Sequence, residues 1–162
     1  MDQVSEKPTA LYLEDLRVGQ RFTSGSYHMD DNRIRAFAAE FDPQPFHLDE
    51  AVAQASVFSG LSASGWHTAA VAMRLLVTGG LPLANGIIGL GGELAWPRPT
   101  RPGDTLRVES EIQEILPSRS KPNQGCRQST KQYIESTRGS QCTYLQRRSS
   151  YSSVSPRKTM VG

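Results

Sequence analysis

The sequence predicts an α+β domain in which an antiparallel sheet wraps around one central helix. Residues 65–77 are almost continuously apolar, with one charge at Arg74, and the Gly-Gly pair and proline that follow end the segment. Residues 21–29, 87–96 and 105–116 have the alternating or glycine-interrupted pattern of strands. A helix that is apolar on nearly all sides needs a sheet around it, or a sheet on one side and a second subunit on the other.

Capping residues locate the shorter helices. The Asp-Asp-Asn run at residues 30–32 predicts the start of a helix that continues to about Glu40, with apolar residues at helical spacing. Asp49 is placed to cap a short helix through Ala55. The glycines of residues 86–92 predict a bulged strand, because the strand-then-helix context of a phosphate loop is missing.

The lengths of the apolar runs, the polar first residues and the cysteine content limit the classes of protein to which the chain can belong. No apolar run approaches the length of a membrane span, and the polar start of residues 1–10 predicts a flexible N-terminus without a secretory signal. We therefore expect a cytoplasmic protein with no membrane partner. Cys126 and Cys142 are the two cysteines, and no histidine stands near them at ligand spacing, so we expect neither a zinc site nor a disulfide framework. The glycine run of residues 86–92 implies no redox cofactor, and we expect none.

The charge of the chain divides it after Gly125. Residues 1–125 hold 11 Lys and Arg against 15 Asp and Glu, whereas residues 126–162 hold 7 against 1. The basic tail has no dense cationic run and no recognisable nucleic-acid module, so we expect no nucleic-acid partner. The predicted units are a domain over residues 11–125 and a basic Ser/Arg/Gln-rich tail over residues 126–162.

The tail stands where further strands of the sheet are needed, yet it lacks both strand and helix periodicity. Its composition alone predicts disorder. Composition, charge and periodicity all change within a few residues, which suggests the hypothesis that the reading frame shifted after residue 125. On this interpretation the C-terminal strands of the fold are missing or replaced. Translation of the gene in its other two frames tests the hypothesis.

Residues 41–47, Phe-Asp-Pro-Gln-Pro-Phe-His, are the candidate catalytic segment. Each proline fixes its own φ and moves the preceding residue out of the α region, so Asp42 and His47 are held on a stiff loop from which both can face one space. A carboxylate beside an imidazole suits proton transfer near neutral pH. The alternative is that Asp42 only caps the next helix and that His47 lies at the surface.

Residues 12–122 resemble the MaoC-like dehydratases, the hot dog-fold relatives of (R)-specific enoyl-CoA hydratases. The family motif Asp-x-Asn-Pro-aliphatic-His is matched by Asp42, Pro43, Gln44, Pro45, Phe46 and His47, with Asp49 and Ala53 downstream. Gln44 stands for the usual Asn, Glu40 and Phe41 for the usual small residue and Gly, and Ser64 for a common His. These departures concern the shape of the pocket and leave the Asp/His pair and Gly65 in place.

The resemblance implies that Asp42 and His47 activate water and handle the proton, while the Gly65 amide binds the thioester oxygen. Gly65 begins the apolar helix, where an unpaired N–H and the helix dipole favour negative charge. The candidate substrate-binding residues are Ser64, Trp66, Gln44 and Phe46. Ser64 could instead be the N-cap of the helix, and Trp66 could instead belong to the hydrophobic core. For His67 we favour a buried, hydrogen-bonded histidine. Contacts of Arg98, Arg101 or Lys121 with coenzyme A phosphates are weakly indicated.

The resulting prediction is a cofactor-free, homodimeric hydro-lyase acting on an enoyl- or 3-hydroxyacyl-CoA thioester. One alternative is an acyl-CoA thioesterase, because the same fold and the same amide donor serve hydrolysis. The other alternative is a degenerate, non-catalytic hot dog protein, which the unusual tail brings into consideration.

Overall fold

The computed structural model of the protein describes residues 10–84, 86–117, 126–136 and 140–151. Helix α1 spans Asp31–Phe41, and the Asp30 side chain accepts a hydrogen bond from the Arg33 N–H at its start, as the sequence predicted. Its buried residues, Ile34 and Ala38, are one helical turn apart. A one-turn helix α2 (Pro45–Leu48) and a short helix α3 (Glu50–Gln54) follow. Asp49 caps α3 by accepting from the Val52 N–H, which confirms the predicted cap.

The strand predicted over residues 21–29 is divided into β1 (Arg21–Thr23) and β2 (Tyr27–His28), which both pair antiparallel with β4 (Thr105–Pro117). The division has a local cause at Ser24. The Val108 N–H binds the Ser24 hydroxyl at 2.8 Å, while the Ser24 N–H binds the Val108 carbonyl at 2.9 Å. A side-chain oxygen thus replaces a backbone carbonyl in the ladder, and the chain leaves the strand path before Tyr27.

Helix α4 (Gly65–Leu75) packs on the sheet and continues into a π-helical turn, Leu76–Gly80. Its buried face packs against the inward-facing residues of β4. Apolar residues alternate along this strand, as the sequence predicted. The shared core includes Val71, Ala72, Leu75, Leu76, Leu106, Val108 and Ile112. On the opposite stripe of the helix, exposed side chains are Trp66, Ala70, Arg74 and Val77. In the described part of the chain the sheet therefore covers one side of α4, and the predicted alternative of a second subunit on the other side stays open.

The described strands form one six-stranded sheet with the order β1-β4-β5-β6-β3, and β2 lies beside β4. Strand β3 (Ile88–Ala95) is an edge strand with a register shift between Gly89 and Gly91, which confirms the bulge predicted from the glycines. No helix among the described residues is long and apolar enough to cross a membrane.

The sheet includes two strands in the tail, β5 (Cys126–Ser136) and β6 (Ser140–Tyr151). Strand β5 pairs with β4 from Leu106 to Pro117, and β6 pairs with β5 and β3. The structure describes both ranges as strands, where the sequence pattern predicts disorder, and the replacement of the usual C-terminal strands by the tail stays a prediction. The physical reason is that ladder hydrogen bonds are made by the main chain, so an edge as long as β4 can pair with a segment of weak alternation. The frame-shift idea stays a hypothesis.

Candidate functional site

The two prolines of residues 41–47 shape the backbone as predicted, with one difference. Asp42 ends α1 at φ −152° and ψ 66°, and Gln44 is extended at φ −79° and ψ 137°. His47, however, lies in the one-turn helix α2 and not in an irregular loop. Pro45 occupies the first turn of α2, where a missing N–H is tolerated and the fixed φ suits a helix. The segment therefore turns sharply at residues 42–44 and then presents His47 from a helical turn.

His47 is held in one orientation and is 4% exposed. Its Nδ1 lies 2.8 Å from the Ser62 carbonyl oxygen, and its Nε2 lies 3.5 Å from Oδ2 of Asp42. A carbonyl oxygen only accepts, so Nδ1 carries the hydrogen and Nε2 of the neutral ring has a free lone pair. The alternative of a surface histidine and a purely capping aspartate is wrong.

Asp42 is the centre of a small polar network. Oδ2 accepts from the Ser64 hydroxyl at 2.6 Å, and Oδ1 accepts from Nε2 of Gln44 at 2.7 Å. The Ser64 hydrogen bond is the main reason that the pKa of Asp42 is lowered, and Gln44 and His47 act in the same direction against the opposing effect of burial. Asp42 is therefore an ionised acceptor at neutral pH, next to the Nε2 lone pair of His47.

The start of α4 forms the other side of the site. Ser64 is the N-cap, since its Oγ accepts from the Trp66 N–H at 3.2 Å while it donates to Asp42. The Gly65 N–H is a first-turn donor with no helical partner, and no described residue accepts from it. Trp96 covers the neighbouring backbone by donating from Nε1 to the Gly65 carbonyl at 2.9 Å.

These groups face one cavity of about 740 Å³, within the usual range for small-molecule sites. All seven residues predicted for the site line it: Asp42, His47, Gly65, Ser64, Trp66, Gln44 and Phe46. Apolar walls come from Phe46 and Phe58, whose ring centroids are 5.2 Å apart, and from Trp66 and Trp96 at 5.6 Å. The structure brings the predicted residues together, whereas their roles stay predictions.

Sequence reasoning missed six lining residues, which are Val57, Phe58, Ala63, Trp96, Pro97 and Pro99. Val57 is 95% exposed, which is unusual for an apolar residue beside a cavity. No pattern along the chain indicates that residues 57–58 and 96 line the same cavity as the start of α4. The signal that was available is the Pro97 and Pro99 pair after Trp96, because a rigid segment after a strand holds its aromatic residue in place.

The other polar candidates differ in their surroundings, and two of them, Arg98 and Arg101, also line the cavity. The Arg101 guanidinium donates to the carbonyls of Phe58, Gly60 and Leu61, so it is engaged with the backbone. Lys121 lies outside the described residues. His67 is buried and stacks on Phe37 at 4.6 Å, but its Nδ1 has no partner among the described residues, so the predicted hydrogen bond is not found at that atom.

No group of three His, Cys, Asp or Glu side chains in the described part of the chain is arranged to hold a metal ion. The polar groups that line the cavity include a carboxylate, an imidazole, a hydroxyl and a free backbone amide, together with the Gln44 amide and the guanidinium groups of Arg98 and Arg101. Such a set binds and deprotonates water and receives negative charge on an oxygen.

The antiparallel sheet packed on a central helix has the architecture of the hot dog fold, and the Asp/His pair faces the start of that helix. Residues 16–136 match the family model described as MaoC like domain, and the chain belongs to this family. It is 51% identical to a MaoC-like dehydratase from Rhodospirillum rubrum, with a TM-score of 0.86 over 90% of this chain and 99% of that chain.

Two further proteins are similar. The R-hydratase PhaJ1 from Pseudomonas aeruginosa is 27% identical, with a TM-score of 0.68 over 88% of this chain and 86% of that chain. The uncharacterized protein YdeM of Bacillus subtilis (strain 168) is 32% identical over 109 residues, which are 67% of this chain and 77% of that protein. The family match and the hydratase neighbour support hydratase or dehydratase chemistry.

Proposed function

We propose that the protein is a hydro-lyase that adds water to, or removes it from, an enoyl- or 3-hydroxyacyl-CoA thioester. The observation that carries this proposal is the shared cavity of three groups: the Asp42 carboxylate, the His47 Nε2 and the Gly65 N–H. Hydration of an enoyl thioester needs an activated water, a proton for C2 and a donor for the thioester oxygen. The site offers groups for all three needs, with His47 serving two of them.

His47 and Asp42 act on the water. The Ser62 carbonyl holds the proton on Nδ1, so Nε2 is the free base, and ionised Asp42 accepts the second hydrogen of the same water. The water oxygen bonds to C3, its proton passes to Nε2, and the C2–C3 π electrons move onto the thioester oxygen. The proton on His47 then passes to C2, so that the free base is regenerated. Dehydration is the reverse sequence.

Gly65 stabilises the charge that develops on the thioester oxygen. Its N–H opens α4, so it combines an unpaired donor with the positive end of the helix dipole. Loss of one such donor typically lowers the rate about 10²- to 10³-fold. Coenzyme A enters this proposal as part of the substrate, and no metal or other cofactor takes part.

We include a cytoplasmic homodimer in the proposal. The exposed stripe of α4, with Trp66 and Val77 at 63% and 55% exposure, is an apolar surface beside the mouth of the cavity. Edge strand β3 adds exposed Ile88 to the apolar surface of the protomer. A second copy of the chain would cover such surfaces, which single proteins seldom leave in water.

The test is the loss of enoyl absorbance from crotonyl-CoA, measured together with release of free thiol. We expect absorbance loss without thiol, and a decrease in kcat of about 10²- to 10⁴-fold for Asp42→Asn and for His47→Ala. Val18→Ala, an exposed apolar change far from the motif in sequence, is the matched control with unchanged activity.

Three results contradict the proposal. Thiol release at the rate of absorbance loss would show hydrolysis, the thioesterase alternative. Hydration that survives both site substitutions would remove the assigned roles. A parent protein without a cooperative thermal transition would support the non-catalytic alternative.

A further inference from the structure

Trp96 occupies the space that a side chain at position 65 would need. A Cβ built on Gly65 would lie 2.6 Å from Cε2 and 2.8 Å from Nε1 of Trp96, which is closer than carbon atoms approach without a shift. The Trp96 Nε1–H also donates to the Gly65 carbonyl. The indole therefore touches the same short backbone segment both sterically and through a hydrogen bond.

Gly65 and Trp96 line the same cavity, so the indole lies beside the space into which the Gly65 N–H opens. In an α-helix the Cα–Cβ bond tilts toward the N-terminus, and the unpaired N–H groups of the first turn point out of the same end. An oxygen bound to the Gly65 N–H would accordingly lie alongside the Trp96 ring. The atoms nearest that oxygen in a thioester are the carbonyl carbon, the sulfur and C2.

The indole is held in this position by more than one contact. The Trp66 and Trp96 rings meet edge to face, with centroids 5.6 Å apart and planes at 73°. Pro97 restricts the backbone conformation of Trp96. Swinging the ring away would break both the edge contact and the hydrogen bond to Gly65, so the ring forms a fixed wall.

We propose that Trp96 is a specificity-determining residue: it walls the carbonyl subsite beside Gly65 and restricts substrates to acyl thioesters that carry no substituent at C2. The inference rests on the proposed function, since it names the acyl class taken by the same site. Removal of the wall opens room for one additional methyl group next to the carbonyl. A methyl group in a packed pocket changes kcat/KM by about 10- to 200-fold.

The first experiment compares crotonyl-CoA with its 2-methyl analogue. The parent is expected to prefer crotonyl-CoA at least about 10-fold in kcat/KM, and Trp96→Ala is expected to reduce that preference by about the same factor. Trp96→Phe keeps most of the wall and should keep most of the preference. An unchanged preference in a folded Trp96→Ala protein overturns the proposal.

The second experiment needs no turnover. Gly65→Ala places a methyl group against the indole and should lower the melting temperature, and the double variant Gly65→Ala/Trp96→Ala should recover most of that loss relative to Trp96→Ala alone. Additive losses in the double variant would show that the ring does not confine position 65. Because the readout is thermal, the result does not depend on catalysis.

The third experiment distinguishes the proposal about Trp96 from the proposed hydration reaction. The chain has two tryptophans, so Trp66→Phe leaves Trp96 as the single indole fluorophore. Titration with butyryl-CoA, a saturated thioester that cannot be hydrated, is expected to change its emission saturably. If the emission does not change, the proposal that Trp96 forms a wall of the carbonyl subsite is overturned. If the emission changes saturably but the parent protein hydrates no enoyl thioester, the proposed reaction is overturned, while the proposal about Trp96 stands.

Discussion

Ser64 donates to Oδ2 of Asp42 at 2.6 Å, across 22 residues of sequence. The same hydroxyl oxygen accepts from the Trp66 N–H at 3.2 Å. One small side chain thus joins the end of α1 to the start of α4, and it couples the charge of the carboxylate to the position of the helix that carries Gly65. The proposed water-activating and oxygen-binding groups are connected by this hydroxyl.

Ser64→Ala is expected to disturb both functions of the hydroxyl. Loss of an N-cap costs about 1 kcal/mol, and loss of a hydrogen bond to a charged group costs about 1.5–3 kcal/mol. The pKa of Asp42 should rise toward its ordinary value, because Ser64 is the main cause of its lowering. The measurements are urea unfolding and the acid limb of kcat/KM against pH, which should move to higher pH.

The sign of the stability change with pH follows from that lowered pKa. A depressed folded-state pKa of Asp42 stabilises the protein above the ordinary Asp pKa of about 4, and this stabilisation is lost as the pH falls through the folded value. The difference in the free energy of unfolding between the parent and Ser64→Ala should consequently become smaller below about pH 4. Ser64→Thr keeps a hydroxyl and is the control. A gap that is constant with pH would contradict the link to Asp42.

Arg101→Met should destabilise the segment that holds His47. The guanidinium donates to the carbonyls of buried Gly60 at 2.7 Å and Leu61 at 3.2 Å, next to the Ser62 carbonyl that binds Nδ1 of His47. The substitution leaves these carbonyls without a donor. We therefore expect the free energy of unfolding, measured with urea, to fall by about 2–4 kcal/mol.

The matched control for Arg101→Met is Arg21→Met, which removes an exposed ion pair with Glu111. Such surface pairs contribute about 0–1 kcal/mol. Equal losses in the two variants would show that the carbonyl contacts of Arg101 do not stabilise the segment. Arg101→Lys keeps the charge but not the planar fork, and it should resemble Arg101→Met more than the parent.

Local signals predicted most of the elements around the site. Caps at Asp30 and Asp49 and the glycine start of α4 are short-range features, so they are readable without the fold. The proline-constrained segment 41–47 likewise determines its own backbone. Together with the family resemblance, these signals placed seven residues that prove to line one cavity.

The long-range features were not readable in the same way. The contact between Trp96 and Gly65 joins residues that are 31 positions apart. Strands β5 and β6 form by main-chain pairing, which their side-chain pattern does not predict. The break between β1 and β2 depends on one hydroxyl that replaces a carbonyl of the ladder. Each of these outcomes depends on a partner element whose position the sequence pattern leaves open.

Gln44 supports the carboxylate from the other oxygen. Its Nε2 donates to Oδ1 of Asp42 at 2.7 Å, so Gln44→Ala should lower kcat/KM by about 10-fold, the effect of about 1.4 kcal/mol, with little change in stability. Gln44→Glu places a second negative charge there and should raise the pKa of Asp42. Steady-state kinetics against pH measure both effects. Parent-like kinetics in Gln44→Glu would remove this residue from the site.

His67 should make the protein sensitive to mild acid. Burial, and secondarily the charge of Arg33, lowers the pKa of His67 in the folded state. Below the ordinary histidine pKa of about 6.5 the unfolded chain binds a proton that the folded chain does not, so stability falls as the pH decreases, by at most about 1.4 kcal/mol per pH unit.

His67→Phe keeps the stacking on Phe37 and removes the titrating ring. The variant should therefore lose less stability than the parent between about pH 6.5 and pH 5, measured as urea unfolding at each pH. His28→Phe, at an exposed strand position, is the control and should follow the parent. Parallel curves for the parent and His67→Phe would mean that His67 binds its proton equally in both states, and the acid sensitivity would then have to come from another group.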